Sequence, residues 1–143
     1  MDSALAPPVA GASSRTIRAA ALSYLALGLG FGLGAAITVD YYRREGELPM
    51  TPWGFRSLAG GPFEGLAPEA FSALGLALVG VCTLDVVAGI WLWQGRRRGA
   101  TLGLATTPAA LFLGAGFALP FLLVGVPIRV ALVLAGRRNL RRV

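Results

Sequence analysis

The sequence contains no histidine, no lysine and only one cysteine, Cys82. Without histidine, imidazole-ligated haem, His-based zinc sites and a Ser-His-Asp triad are excluded, and one cysteine cannot close an intrachain disulfide. Cys82 lies within an apolar run, where a small buried hydrophobe is the expected role rather than a reactive thiol. No other pattern points to a metal or a cofactor, so none is expected. Charge is scarce too: 14% of 143 residues are charged, against about a quarter in soluble domains. Hydrophobic residues make up 55%, which points to a membrane protein.

The net charge of +6 comes entirely from 13 arginines set against 7 acids. A basic stripe on a soluble face would suggest nucleic acid. Here most arginines sit in short clusters beside apolar runs, so the expected partner is a lipid bilayer and not nucleic acid. Exclusive use of arginine fits a GC-rich bacterial genome.

Residues 1–16 are small, polar or proline-bearing and read as a flexible cytoplasmic tail. The uncharged run from Ala19 to Val39 is 21 residues long, enough for the ~20 that span a bilayer, and defines a first transmembrane helix over 17–39. Its length exceeds the apolar part of a cleaved signal and no A-x-A site closes it. Residues 40–67, with Asp40, Glu45, Glu47 and Glu64 against Arg43, Arg44 and Arg56, read as an outer loop. Its aromatic residues suit the headgroup region. A second span covers 68–94, opened by Pro68 and Glu69 and stopped by Gly95.

Between Arg98 and Arg137 lie 38 residues with one charge, Arg129. As one helix they would reach about 57 Å, nearly twice a bilayer's hydrocarbon thickness. Two spans, 100–117 and 120–136, fit instead, with a basic cytoplasmic tail over 138–143. Nine arginines then share one side, against three in the outer loop. By the positive-inside rule that side is cytoplasmic, together with both termini. The expected fold is an all-α bundle of four transmembrane helices, residues 17–137, in a bacterial plasma membrane.

Helix one carries Gly28, Gly30, Gly32 and Gly34, two overlapping G-x-x-x-G patterns that suit close helix packing, within the chain or against a second subunit. The G-x-G-x-x-A reading from Gly30 to Ala35 fails as a dinucleotide site, because no strand precedes it.

Asp85 and Arg129 are charges inside spans, costly by ~2.5–3.5 kcal/mol each even on insertion scales. At ~1.5 Å per residue, Asp85 lies about 13 Å before Gln94 and Arg129 about 12 Å before Arg137, so the two form a candidate intramembrane ion pair. Counted the same way, Thr106 lies about 12 Å and Tyr24 about 9 Å from the same side, and the four define a supporting polar layer. Pro108 adds to it by freeing the carbonyl of Leu104.

The stretch Gly60-Gly61-Pro62-Phe63-Glu64, the run Asp85-Val86-Val87-Ala88-Gly89 leading to Trp93 and the arginine triplet, and the last helix with Arg129 together resemble the small, uncharacterised four-span integral membrane proteins of actinobacteria. The resemblance covers roughly residues 20–136 and implies a membrane location without a particular activity. Small multidrug transporters share the size, but they carry an essential acid in their first helix, and helix one here has none.

The function these features suggest is non-enzymatic: an accessory or structural membrane subunit, or a small homo-oligomer. The alternative is a small proton-coupled transporter or channel with Asp85 as its titrating site. A lipid-directed enzyme using Glu64 and Arg56 ranks third, because no spacing demands it.

Overall fold

The apolar runs become four α-helices in the computed structural model, which describes residues 10–140. These are α1 (Ala10–Glu45), α2 (Pro68–Trp93), α3 (Arg97–Gly116) and α4 (Pro120–Gly136). Short 3-10 turns at Pro62–Gly65 and Arg137–Asn139 complete the described elements. Residues 1–9 and 141–143, which include most of the expected tails, lie outside the described residues.

Helix α1 is longer than the span expected over 17–39. It begins at Ala10, so residues 10–16 are helical and not a loose tail; no proline interrupts the chain between Pro8 and Pro49, and Ile17 anchors this end against Gly136 of α4. At the other end residues 40–45 continue the helix rather than opening the outer loop. An Asp40–Arg44 pair one turn apart, at 2.7 Å, supports that continuation. Gly46, at φ +75°, then ends it. Helix α3 also starts early, at Arg97, which puts Arg97 and Arg98 in its first turn.

The α2–α3 and α3–α4 turns are short and satisfy their own backbone groups. After α2, Arg96 N–H donates to Trp91 O at 2.9 Å and Gly95 N–H to Leu92 O at 2.9 Å, with Gly95 at φ +73°. This is a Schellman closure. The α3–α4 turn repeats it with Leu119 N–H to Gly114 O at 2.8 Å and Ala118 N–H to Ala115 O at 3.2 Å. Ala118, not glycine, takes the left-handed position at φ +49°. A turn without polar side chains thus leaves few orphaned amides.

Each helix packs against the next, and α4 packs back on α1, closing a four-membered ring. Buried positions recur at spacings of four and three. In α2 the stripe runs Phe71, Gly75, Leu78, Cys82, Asp85, Gly89 and Leu92, with Ala88 buried beside it; in α4 it runs Leu122, Val126, Arg129, Val133 and Gly136. That 3.5-residue period is the seam of left-handed helix packing. Glycines allow the close approach: a Cβ on Gly99 would lie 2.7 Å from Ala88 O and Leu92 N, and one on Gly28 would lie 2.8 Å from Cys82 O.

The loop between α1 and α2 caps one end of the ring. Phe63 reaches over Gly116 and meets Phe112 and Phe117 at ring distances of 5.5 and 5.1 Å. Ser57 and Thr38 share a hydroxyl hydrogen bond of 2.9 Å.

By length and apolarity, α1 from Ser14, α2 and α3 are each able to cross a membrane. Helix α4 is a shorter apolar helix of 17 residues. The outside of the bundle is apolar as well, with Leu33, Ile37, Phe112, Phe121 and Val124 all more than half exposed.

Candidate functional site: a polar layer across the bundle

Polar side chains gather at the bundle's centre. Because the helices form a ring, α2 and α4 stand diagonally opposite, as do α1 and α3. Asp85 of α2 and Arg129 of α4 meet across the first diagonal, with Arg129 Nη1 donating to Asp85 Oδ2 at 2.5 Å. Arg129 is 0% exposed and Asp85 1%.

Thr106 of α3 engages the other carboxylate oxygen, its hydroxyl donating to Asp85 Oδ1 at 2.7 Å with the Gly103 carbonyl at 3.1 Å. Tyr24 of α1 lies along the second diagonal. Its ring sits under the guanidinium, with Arg129 Cζ 4.3 Å from the ring centroid, a cation–π contact in a desolvated setting. Its hydroxyl end abuts Gly103, where an added Cβ would fall 2.5 Å from the phenolic oxygen. The two diagonals cross where guanidinium and phenol ring stack.

Tyr24, Asp85, Thr106 and Arg129 therefore form one contact group contributed by all four helices. Two further residues belong to it. Gly103 leaves the room that Tyr24 fills, and Thr107 neighbours the Tyr24 hydroxyl while donating its own to Gly103 O at 2.9 Å. The sequence signal for Gly103 was Gly99-x-x-x-Gly103, the same small-residue spacing that stands out in α1.

The layer is incompletely satisfied. Arg129 Nε and Arg129 Nη2 are buried without a hydrogen-bond partner. A guanidinium offers five N–H donors, and here only Nη1 is used. Arg129 thus binds Asp85 through one nitrogen, where the two-pronged carboxylate geometry is the stronger one.

The four glycines of α1 divide by face. Gly28 and Gly32 press on α2, where a Cβ would approach Cys82 and Val86 at 3.0 Å or less. Gly30 and Gly34 have open space beyond them. Cys82 is a buried free thiol in the core.

Among the described residues no cluster of acids and cysteine could hold a metal. Arg56 and Glu64 line a small cavity of about 190 Å³ at the end capped by the α1–α2 loop, with Tyr42, Glu47 and Phe71. Glu64 is already committed there, accepting from Gly60 N–H at 2.7 Å.

Comparison with known proteins finds no family model, no curated protein and no solved structure that matches the chain.

Proposed function

We propose that this chain is a multi-pass protein of a bacterial plasma membrane, both ends cytoplasmic, that works by helix packing: a non-enzymatic accessory subunit or a small homo-oligomer. The observation that carries this reading is the split of the α1 glycines. Gly28 and Gly32 are consumed inside the bundle, whereas Gly30 and Gly34 lie on an outward face among exposed Leu29, Leu33 and Ile37. A second membrane helix could approach there to backbone distance. The ion pair serves the same end by register. Sliding one helix a turn, about 5.4 Å, would strand two charges in the apolar interior. The long apolar helices support the membrane location and the arginine asymmetry supports the orientation.

The expected outcome is a mass above the monomer's in mild detergent, or a cross-linked partner captured in cells through α1. A lone monomer that captures nothing in cells would defeat the proposal.

A proton-coupled transporter is the second reading, favoured by the unpartnered Arg129 nitrogens at the centre of the layer. It expects Asp85→Asn to abolish a pH-driven flux in proteoliposomes while the variant remains folded. Equal flux through wild type and variant would remove it.

A further inference from the structure

At the end of the bundle where α3 begins and α4 finishes, a groove of about 320 Å³ is lined by Arg97, Thr101, Leu104, Arg137, Arg138 and Leu140. We infer that this groove binds the headgroup of an anionic phospholipid, with a two-phosphate headgroup matching its three guanidiniums better than a single phosphate. The inference rests on the membrane reading above and names a specific ligand for it.

Charge is the first argument. No acid among the described residues pairs with Arg97, Arg137 or Arg138, so three cations converge there with no counter-charge from the described part of the chain. Such basic pockets at a membrane face are suited to multiply charged lipid headgroups.

Helix electrostatics add a second argument. The first turn of α3 contains no acid, and its N-cap, Arg96, makes no side-chain cap hydrogen bond. Arginines at the positive end of a helix are unfavourable neighbours of its dipole, and a bound anion would reverse the sign of that interaction. Arg137 has no such conflict, because it follows the negative end of α4.

Construction is the third. Arg97 Nε donates to Leu140 O at 2.8 Å, which ties the 3-10 turn after α4 to the start of α3 and holds the groove's two walls together. With Nε so engaged, the terminal nitrogens of Arg97 remain for a ligand. The floor is apolar: Ala100 and Leu140 are buried, and Leu104 lies one helical turn further along α3, toward the middle of the bundle. A free phosphate would use only the arginines. A phospholipid uses both parts, its phosphates on the guanidiniums and its glycerol and first acyl carbons along Leu104.

The test is native mass spectrometry and thermal stability of the purified full chain in detergent. Titrants are diphosphatidylglycerol, phosphatidylglycerol, phosphatidylcholine and inorganic phosphate. The expected order of affinity is diphosphatidylglycerol, then phosphatidylglycerol, then phosphatidylcholine, with phosphate alone giving no stabilisation. Combining Arg97→Gln, Arg137→Gln and Arg138→Gln should weaken the first by about a hundredfold, the loss expected for three near-surface cations. Thr101→Trp, which obstructs the groove and keeps every charge, should weaken it as well. Arg43→Gln with Arg44→Gln, at the opposite end, should not.

Wild-type affinity in the triple variant, equal binding of phosphatidylcholine, or protection by phosphate equal to that by lipid would each overturn the inference. Should the triple variant lose its helicity, the Arg137→Gln/Arg138→Gln pair and Thr101→Trp decide. Alkaline carbonate extraction separates the two levels. Release from membranes would refute the membrane reading itself, whereas a chain that stays in the membrane without lipid preference refutes only this site.

Discussion

Arg129→Met should lower stability by about 3–5 kcal/mol, the loss associated with leaving one partner of a buried ion pair unmatched. The cost arises at Asp85, which is 1% exposed and would retain only the Thr106 hydroxyl as a donor. Loss of the cation over the Tyr24 ring adds to it.

The sharper expectation concerns the double variant, Asp85→Leu with Arg129→Met. Replacing both charges by apolar groups is often neutral or stabilising, because neither ion must then be desolvated. Arg129 also brings unpartnered Nε and Nη2 groups into the interior, a cost the double variant eliminates. Equilibrium unfolding in mixed micelles, followed by helicity, should place the double variant within about 1 kcal/mol of wild type or above it. A double variant as unstable as Arg129→Met would show that the layer contributes net stability, and register would no longer account for its presence. Register itself would be seen in the double variant as broadened spectra or a changed helix order, at unchanged helicity.

Different parts of this architecture had different visibility in the sequence. Helix count and boundaries for α2 and α4 were readable because span length and charge position are one-dimensional quantities. Depth is also one-dimensional: a fixed rise per residue puts Tyr24, Asp85, Thr106 and Arg129 at nearly one level by counting from the arginine clusters. Direction around each helix axis is not contained in that count. It could have come from the four-three spacing of buried residues, but in α3 the stripe runs Gly99, Gly103, Thr106, Ala110 and Leu113. Small residues carry almost no hydropathy contrast, so counting apolar residues does not reveal such a stripe.

The ends of α1 were obscured for the opposite reason. Asp40, Arg43, Arg44 and Glu45 look like a loop by charge, yet an Asp–Arg pair at one-turn spacing supports a helix whose end lies beyond the apolar run. In the loop between α1 and α2, Leu58 at φ +58° is buried in the core, and Phe63 covers Gly116. Both depend on partners more than fifty residues away in the chain or on backbone strain, and no local pattern announces them. Nor could spacing show that Arg129 would use one nitrogen and leave two unpartnered. That follows from where the diagonals of the ring cross.

The α1 glycines provide the second large effect, because neighbours two residues apart should behave oppositely. Gly28→Leu is expected to cost about 3 kcal/mol or more, the upper range for overpacking a close contact. Its Cβ alone would stand 2.8 Å from both Cys82 O and Val86 Cγ2, and the first of these is backbone that cannot rotate aside. Helix α1 would have to withdraw from α2, and Tyr24, one turn below, would withdraw from Arg129 with it. Gly30→Leu meets nothing within 4 Å, so the same substitution should leave unfolding within about 0.5 kcal/mol of wild type. The contrast also divides fold from association. If the outward face binds a second helix, Gly30→Leu with Gly34→Leu should convert the assembly to monomers at unchanged unfolding midpoint, because a leucine there obstructs only a neighbour outside the bundle. Gly28→Leu should impair both together. A Gly30→Leu/Gly34→Leu protein that keeps its wild-type mass and its cross-links would mean that this face meets only lipid, and any assembly would then have to use another surface.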